Sequence, residues 1–160
     1  MDVCFATFHE KKSRVSMQIN GEWLLCDDGI VRPIIRGEIL SGDGSWVPAE
    51  FLVDTGADRT VFSALIFRAL HPQSIYRQEH LGGLGGTTEA VVVETQLRFG
   101  DKGGNQVVFR GQYAAVTELE TLDICVLGRD IIGLFVLIVD QPGNVVCLLS
   151  QRHQYIIEQS

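Results

Sequence analysis

Phe51-Leu52-Val53-Asp54-Thr55-Gly56-Ala57-Asp58 is the stretch on which the reading of this 160-residue chain turns. Three apolar residues end a strand, and the carboxylate of Asp54 follows at once, with a hydroxyl and then a glycine behind it. This order sets an ionisable group on a tight turn that backbone N–H groups can approach, because glycine leaves the turn uncrowded. Asp-Thr-Gly also occurs in ordinary turns, so its meaning depends on what surrounds it.

Working outward, residues 46–53 and 30–40 alternate as two strands across Ser41-Gly42-Asp43-Gly44, with Pro33 and Pro48 suited to strand starts or edges. Residues 16–19 and 23–26, joined by Asn20-Gly21, read as a hairpin closed by Asp27-Asp28-Gly29. Downstream, residues 63–70 form the first plausible helix, ended by His71-Pro72. A glycine-rich segment, Leu81-Gly82-Gly83-Leu84-Gly85-Gly86, precedes a long alternating strand over 89–99. Further strands are expected near 107–109, 113–116 and 124–127. Residues 128–133 form a second short helix, and 135–139 with 145–149 a hairpin over Gln141-Pro142-Gly143-Asn144. The pattern predicts an all-β fold with two short helices, closed or partly closed into a barrel. Its organisation is an N-terminal extension with a hairpin (1–29), a main domain (30–150) and a polar tail (151–160).

Composition narrows the function. Thirteen Lys and Arg against 20 Asp and Glu, a net charge of -7, disfavour capture of nucleic acid or anionic lipid. No apolar run reaches the roughly 18 residues of a membrane span. The charged N-terminus does not read as a secretory signal, so a cytoplasmic protein is expected. Cys4, Cys26, Cys125 and Cys147 lie far apart with no Cys-x-x-Cys pair, and neither a metal nor a cofactor is called for.

Two segments give Asp54 its company. The glycine run sits between β patterns and suits a hairpin tip that opens and closes over a cleft. It is not a phosphate loop, because Thr87-Thr88-Glu89 leads into a strand and no Gly-Lys-Ser/Thr follows. Ile124-Cys125-Val126-Leu127-Gly128-Arg129-Asp130-Ile131-Ile132 runs from an apolar strand through glycine into an apolar helix.

Asp54-Thr55-Gly56-Ala57-Asp58, the 81–86 glycine hairpin and Val126-Leu127-Gly128-Arg129-Asp130, in that order, closely resemble the retropepsins, the retroviral-type aspartic proteases. Arg32-Pro33 resembles their N-terminal Arg-Pro, and the resemblance covers about residues 30–139. It implies a retropepsin-like acid protease barrel, a homodimer with its active site on the two-fold axis, acting as an endopeptidase on peptide or protein substrates. The chain agrees with that implication: peptide hydrolysis by this chemistry takes two carboxylates, and there is one Asp-Thr/Ser-Gly. A two-fold contact would supply the second.

By the same resemblance Asp54 holds the attacking water, Thr55 locks the two loops, and Gly56 lets the backbone approach. Gly82, Gly83, Leu84, Gly85 and Gly86 form a flap that binds extended substrate, together with Ala57 and Asp58. Leu52, Ile124 and Val126 match pocket-wall positions. A charge network is implied as well: Arg129 pairs with a partly buried Asp58, and Arg32 reaches the partner's Asp58. The chain departs from the retroviral pattern in its first 29 residues and in its continuation through 135–149, which is closer to a pepsin lobe. Arg59 replaces an acidic residue that many retroviral enzymes carry, and the flap lacks tyrosine. The alternative reading is a retropepsin-like dimerisation or peptide-binding module with little turnover.

Overall fold

The structure, a computed structural model, describes residues 17–71, 75, 77–83 and 85–150. The expectations for Cys4, Pro72, Leu84 and the 151–160 tail lie outside the described residues. Among the described residues eleven strands and two short helices follow one another: β1 (Gln18–Asn20), β2 (Glu22–Leu25), β3 (Val31–Leu40), β4 (Trp46–Val53), β5 (Val61–Phe62), α1 (Ala64–Leu70), β6 (Arg77–Gly83), β7 (Gly86–Gly100), β8 (Gln106–Val116), β9 (Cys125–Leu127), α2 (Arg129–Ile132), β10 (Val136–Asp140) and β11 (Val145–Leu149).

Eight strands form one sheet in the order β2-β3-β4-β9-β5-β8-β7-β6, and an added β3–β7 pairing rolls it into a partly closed barrel. That seam is built by side chains. An added Cβ at Gly37 would overlap the Phe99 ring, so the glycine lets the ring fill the gap. One residue on, Glu38 accepts a 2.6 Å bond from Arg98, whose guanidinium lies 4.1 Å over the Trp46 ring. Inside, Phe51, Phe62, Phe99 and Phe109 are fully buried, and Phe51 meets Phe62 and Phe99 edge to face at 6.5 and 5.6 Å. Edge-to-face packing suits the ring quadrupoles and gives the barrel a specific core.

The Asn20-Gly21 hairpin is a correction. β1 pairs with β11 and β2 with β3, so the two strands lie in different sheets. A tight type I′ turn needs φ > 0 at both central residues, and neither Asn20 nor Gly21 has it. Gly21 serves a close crossing instead: its N–H donates to Val146 O at 2.7 Å, and a side chain there would overlap Ile34 O. β1 thereby joins the β10–β11 hairpin as a three-stranded sheet, β1-β11-β10. Positive φ serves other turns instead, at Gly29, Gly44, Gly86, Gly104 and Asn144, and at the end of the first helix at His71.

Other expectations differ in extent. Residues 107–109 and 113–116 merge into β8, because 110–112 stay in register with β7. β7 starts at Gly86, and the polar stretch before the glycines is itself a strand, β6. Pro48 lies on the side of β4 that β9 leaves uncovered, since β9 pairs only with residues 51–53. α1 is capped by Ser63 Oγ, which accepts from Ile66 N, and stops at His71 with φ 42°.

Candidate active site

Asp54 stands where β4 leaves the barrel. Its backbone N–H donates to Leu127 O at 3.2 Å, so the parallel β4–β9 pair aims the turn. Its Oδ1 accepts the Gly56 N–H at 2.8 Å, and its carbonyl accepts the Ala57 N–H. The carboxylate is thus held by the turn it begins, half-exposed, with Thr55 and Gly56 exposed beside it.

The loop is clamped from behind by α2. Arg129 N and Asp130 N donate to the carbonyls of Ala57 and Asp58. Thr60, fully buried, donates its backbone N–H and its hydroxyl to the two oxygens of Asp130, at 3.0 and 2.7 Å. The same hydroxyl accepts from Gly128 N at 3.2 Å. A Cβ on Gly128 would overlap the Arg59 backbone, so the close approach requires glycine. Thr60 carries no motif signal in the sequence. Its role comes from meeting Asp130, 70 positions away.

Over Asp54 lies the β6–β7 hairpin, and together they enclose a cleft of about 460 Å³. Gly82, Gly83, Gly85 and Gly86 roof it, and Asp54, Ala57 and Val126 lie below. Sequence reasoning missed Val61, Val116 and Leu122, which complete the apolar wall, and Thr121 beside them. Their strand and loop contexts mark them as core, and only barrel closure turns them toward the cleft. Leu52, Asp58 and Ile124 do not line this cleft, although they were expected to bind substrate. Leu52 pairs with Val126 in the β4–β9 ladder, and Ile124 faces a separate hollow with Pro48 and Leu65.

The charge network is altered. Arg129 pairs with Asp58 as expected, but the side chains are 60% and 77% exposed, so the expected partial burial is corrected. In the isolated chain Arg32 does not reach outward: its fork meets both oxygens of Asp28, at 2.8 and 2.5 Å. Those bonds, and then the Ile30 N–H, hold the Asp28 carboxyl down at about 2. Cys125 lies buried beside Ser63, and burial pushes its thiol up to about 11, which makes it inert.

The aspartyl protease family model matches residues 36–131, from within β3 into α2. No curated protein matches the chain. Among solved structures, a retropepsin-like aspartic protease from Rickettsia conorii is similar with a TM-score of 0.57 and 17% identity, covering 88% of this chain and 96% of that one. The EIAV protease complexed with the inhibitor HBY-793 is 26% identical over 64% of this chain and 86% of its own, at a TM-score of 0.44. The fold is retropepsin-like, and with Asp54, Gly128 and the glycine hairpin all inside or framing the matched span, the chain belongs to the aspartyl protease family.

Proposed function

We propose that the protein is a homodimeric aspartic endopeptidase in which two Asp54 carboxylates, one from each chain, activate a water against a peptide bond held under the glycine flap. The observation that carries this reading is a half-exposed Asp54, on a turn fixed from behind, beneath a glycine-tipped hairpin and beside an apolar wall. Two carboxylates held together share one proton, as aspartic proteases do: the ionised one takes a proton from water and the protonated one polarises the carbonyl. The apolar wall of Val61, Val116, Leu122 and Val126 supports a preference for apolar side chains near the cleaved bond. Thr55 is kept as the loop-locking residue and Gly56 as the close-approach position.

A second copy is supported by the catalytic end itself. Val31, Arg32 and Pro33 of β3 run past the end of the β4 ladder, which begins at Ile34. On this arm Leu25 and Val31 sit opposite each other, on the face that Trp23 and Ile35 present to the core, yet they are 67% and 38% exposed. An inward face left this exposed among the described residues, at the end where the proposed mechanism calls for a second carboxylate, suits a two-fold contact. The proposal keeps a cytoplasmic setting, in keeping with free thiols at Cys26, Cys125 and Cys147.

The test is incubation of the purified chain with a diverse peptide library at several pH values. Cleavage is expected to fall on dilution, with sedimentation at twice the 17.7 kDa chain mass at higher concentration. Asp54→Asn should fold normally and lose about 10³-fold or more of the activity. Cleavage by folded Asp54→Asn, or full activity from a monomer, overturns the mechanism. A dimer that binds peptides without cleaving them replaces it with a binding module.

A further inference from the structure

Arg59 and Glu79 lie outside the cleft lining, yet they join its floor to its roof. Arg59 is the fifth residue after Asp54, and Glu79 lies on β6, four residues before Gly83. Arg59 Nη1 donates to Glu79 Oε1 at 2.6 Å, with the side chains 36% and 17% exposed. We propose that Arg59 is a positioning residue: its ion pair with Glu79 latches the root of the flap to the catalytic loop and so sets where the glycine tip sits above Asp54. The proposal rests on the reading of this cleft as a substrate site.

The two ends of the latch differ in how firmly they are held. Arg59 is a fixed post: its backbone packs against Gly128 too closely for any side chain there, and the next residue, Thr60, is bound twice to Asp130. Glu79 sits on the terminal strand of the eight-stranded sheet, and among the described residues β6 pairs only with β7. Beyond Glu79 the hairpin is a two-stranded ribbon, since the β7–β8 ladder stops at Ala90↔Val116, and such a ribbon is marginally stable by itself. At its far end Gly82, Gly83, Gly85 and Gly86 have nothing within 4 Å of an added Cβ, so packing does not fix these four glycines.

Arg77 also approaches Glu79, at 3.7 Å to the other oxygen, but it belongs to the same strand and is 54% exposed. It neutralises Glu79 without tying β6 to anything else. Among the ion pairs of the described residues Arg59–Glu79 is the one that crosses from the loop to the flap, and partial burial of both partners shields it from the screening that makes fully exposed pairs negligible.

The experiment is a double-mutant cycle on the full chain with Arg59→Gln, Glu79→Gln and the double variant. It is read by hydrogen exchange at the backbone amides of 79–90 and by the kinetics of an internally quenched peptide selected from the library with the wild type. Each single change should speed flap exchange about fivefold, and the double variant no more than either single, because one bond is lost in all three. Arg59→Lys should restore much of the protection. KM should rise about fivefold with kcat within about twofold of wild type, a split that a merely structural defect would not produce. Unchanged exchange in both singles, or effects that add in the double, overturns the latch. If no peptide is cleaved, the catalytic reading fails while the exchange cycle still decides the latch. Glu79→Gln, on the edge strand β6, remains a folded test if Arg59→Gln is unstable.

Discussion

The glycines of the catalytic loop and those of the flap do opposite work. Gly128 is glycine because there is no room: a methyl would overlap the Arg59 backbone, and at Gly56 it would crowd Asp54 Oδ1 at 3.1 Å. Gly82, Gly83 and Gly85 are glycine where there is nothing but room, and Gly86 adds a φ of 111° that other residues reach only under strain. One residue type therefore serves close packing under the carboxylate and freedom above it. The lesson is that the proposed active site pairs an over-determined floor with an under-determined roof, as a cleft that admits a chain and then holds it would require.

This contrast can be broken most sharply at the floor. Gly128→Ala should cost about 3 kcal/mol, a fall of roughly 10 °C in Tm, because the backbone of Arg59 has to move. Near-wild-type thermal unfolding of that variant would show that the loop yields where the geometry says it is fixed. At the roof, Gly83→Val with Gly85→Val should change stability by less than about 0.5 kcal/mol while lowering kcat/KM about tenfold or more. Wild-type kinetics would return the segment to a passive connection, and a large loss of Tm would show that it is packed after all.

Smaller effects sharpen the same comparison at its edges. Since Arg129 and Asp58 are largely exposed, Arg129→Ala should cost no more than about 1 kcal/mol in the isolated chain. A loss of several kcal/mol would mean that the pair is covered, as a dimer would cover it. The smallest effect is a titration. Arg32 holds the Asp28 carboxyl at about 2 against its ordinary 3.8, so this pair contributes above the ordinary value and is lost as pH falls through about 2. Carbon NMR should find Asp28 titrating near that point, and back near 3.8 in Arg32→Gln. An unshifted Asp28 in the wild type would mean that the fork is elsewhere, free to reach a partner chain.

Much of the fold was legible because its signals are local. The β3–β4 pair, α1 between Ser63 and His71, α2 after Gly128 and the β10–β11 hairpin can be read from alternation, capping residues and turn glycines within ten or so positions. β6 was not legible, because Arg77-Gln78-Glu79-His80 has neither apolar alternation nor β propensity, and it is a strand only through its ladder to β7. Asp54, Ala57, Val126 and the flap glycines could be placed together from motif order. Thr60, Val61, Val116 and Leu122 could not, since nothing nearby in the chain distinguishes a cleft wall from core.

By itself, then, the sequence determined the Asp54 turn, the glycine hairpin and the strand-to-helix element behind them. Each of these is a matter of residue type and short-range backbone chemistry. Only the tertiary structure decided which strands β1 and β2 would join, that Asp130 would hold Thr60, that Arg32 would take Asp28, and that Arg59 would meet Glu79. Those choices are between distant or competing partners of similar local quality. What separates them is the burial and hydrogen bonding available once the barrel has closed, which no short window of sequence contains.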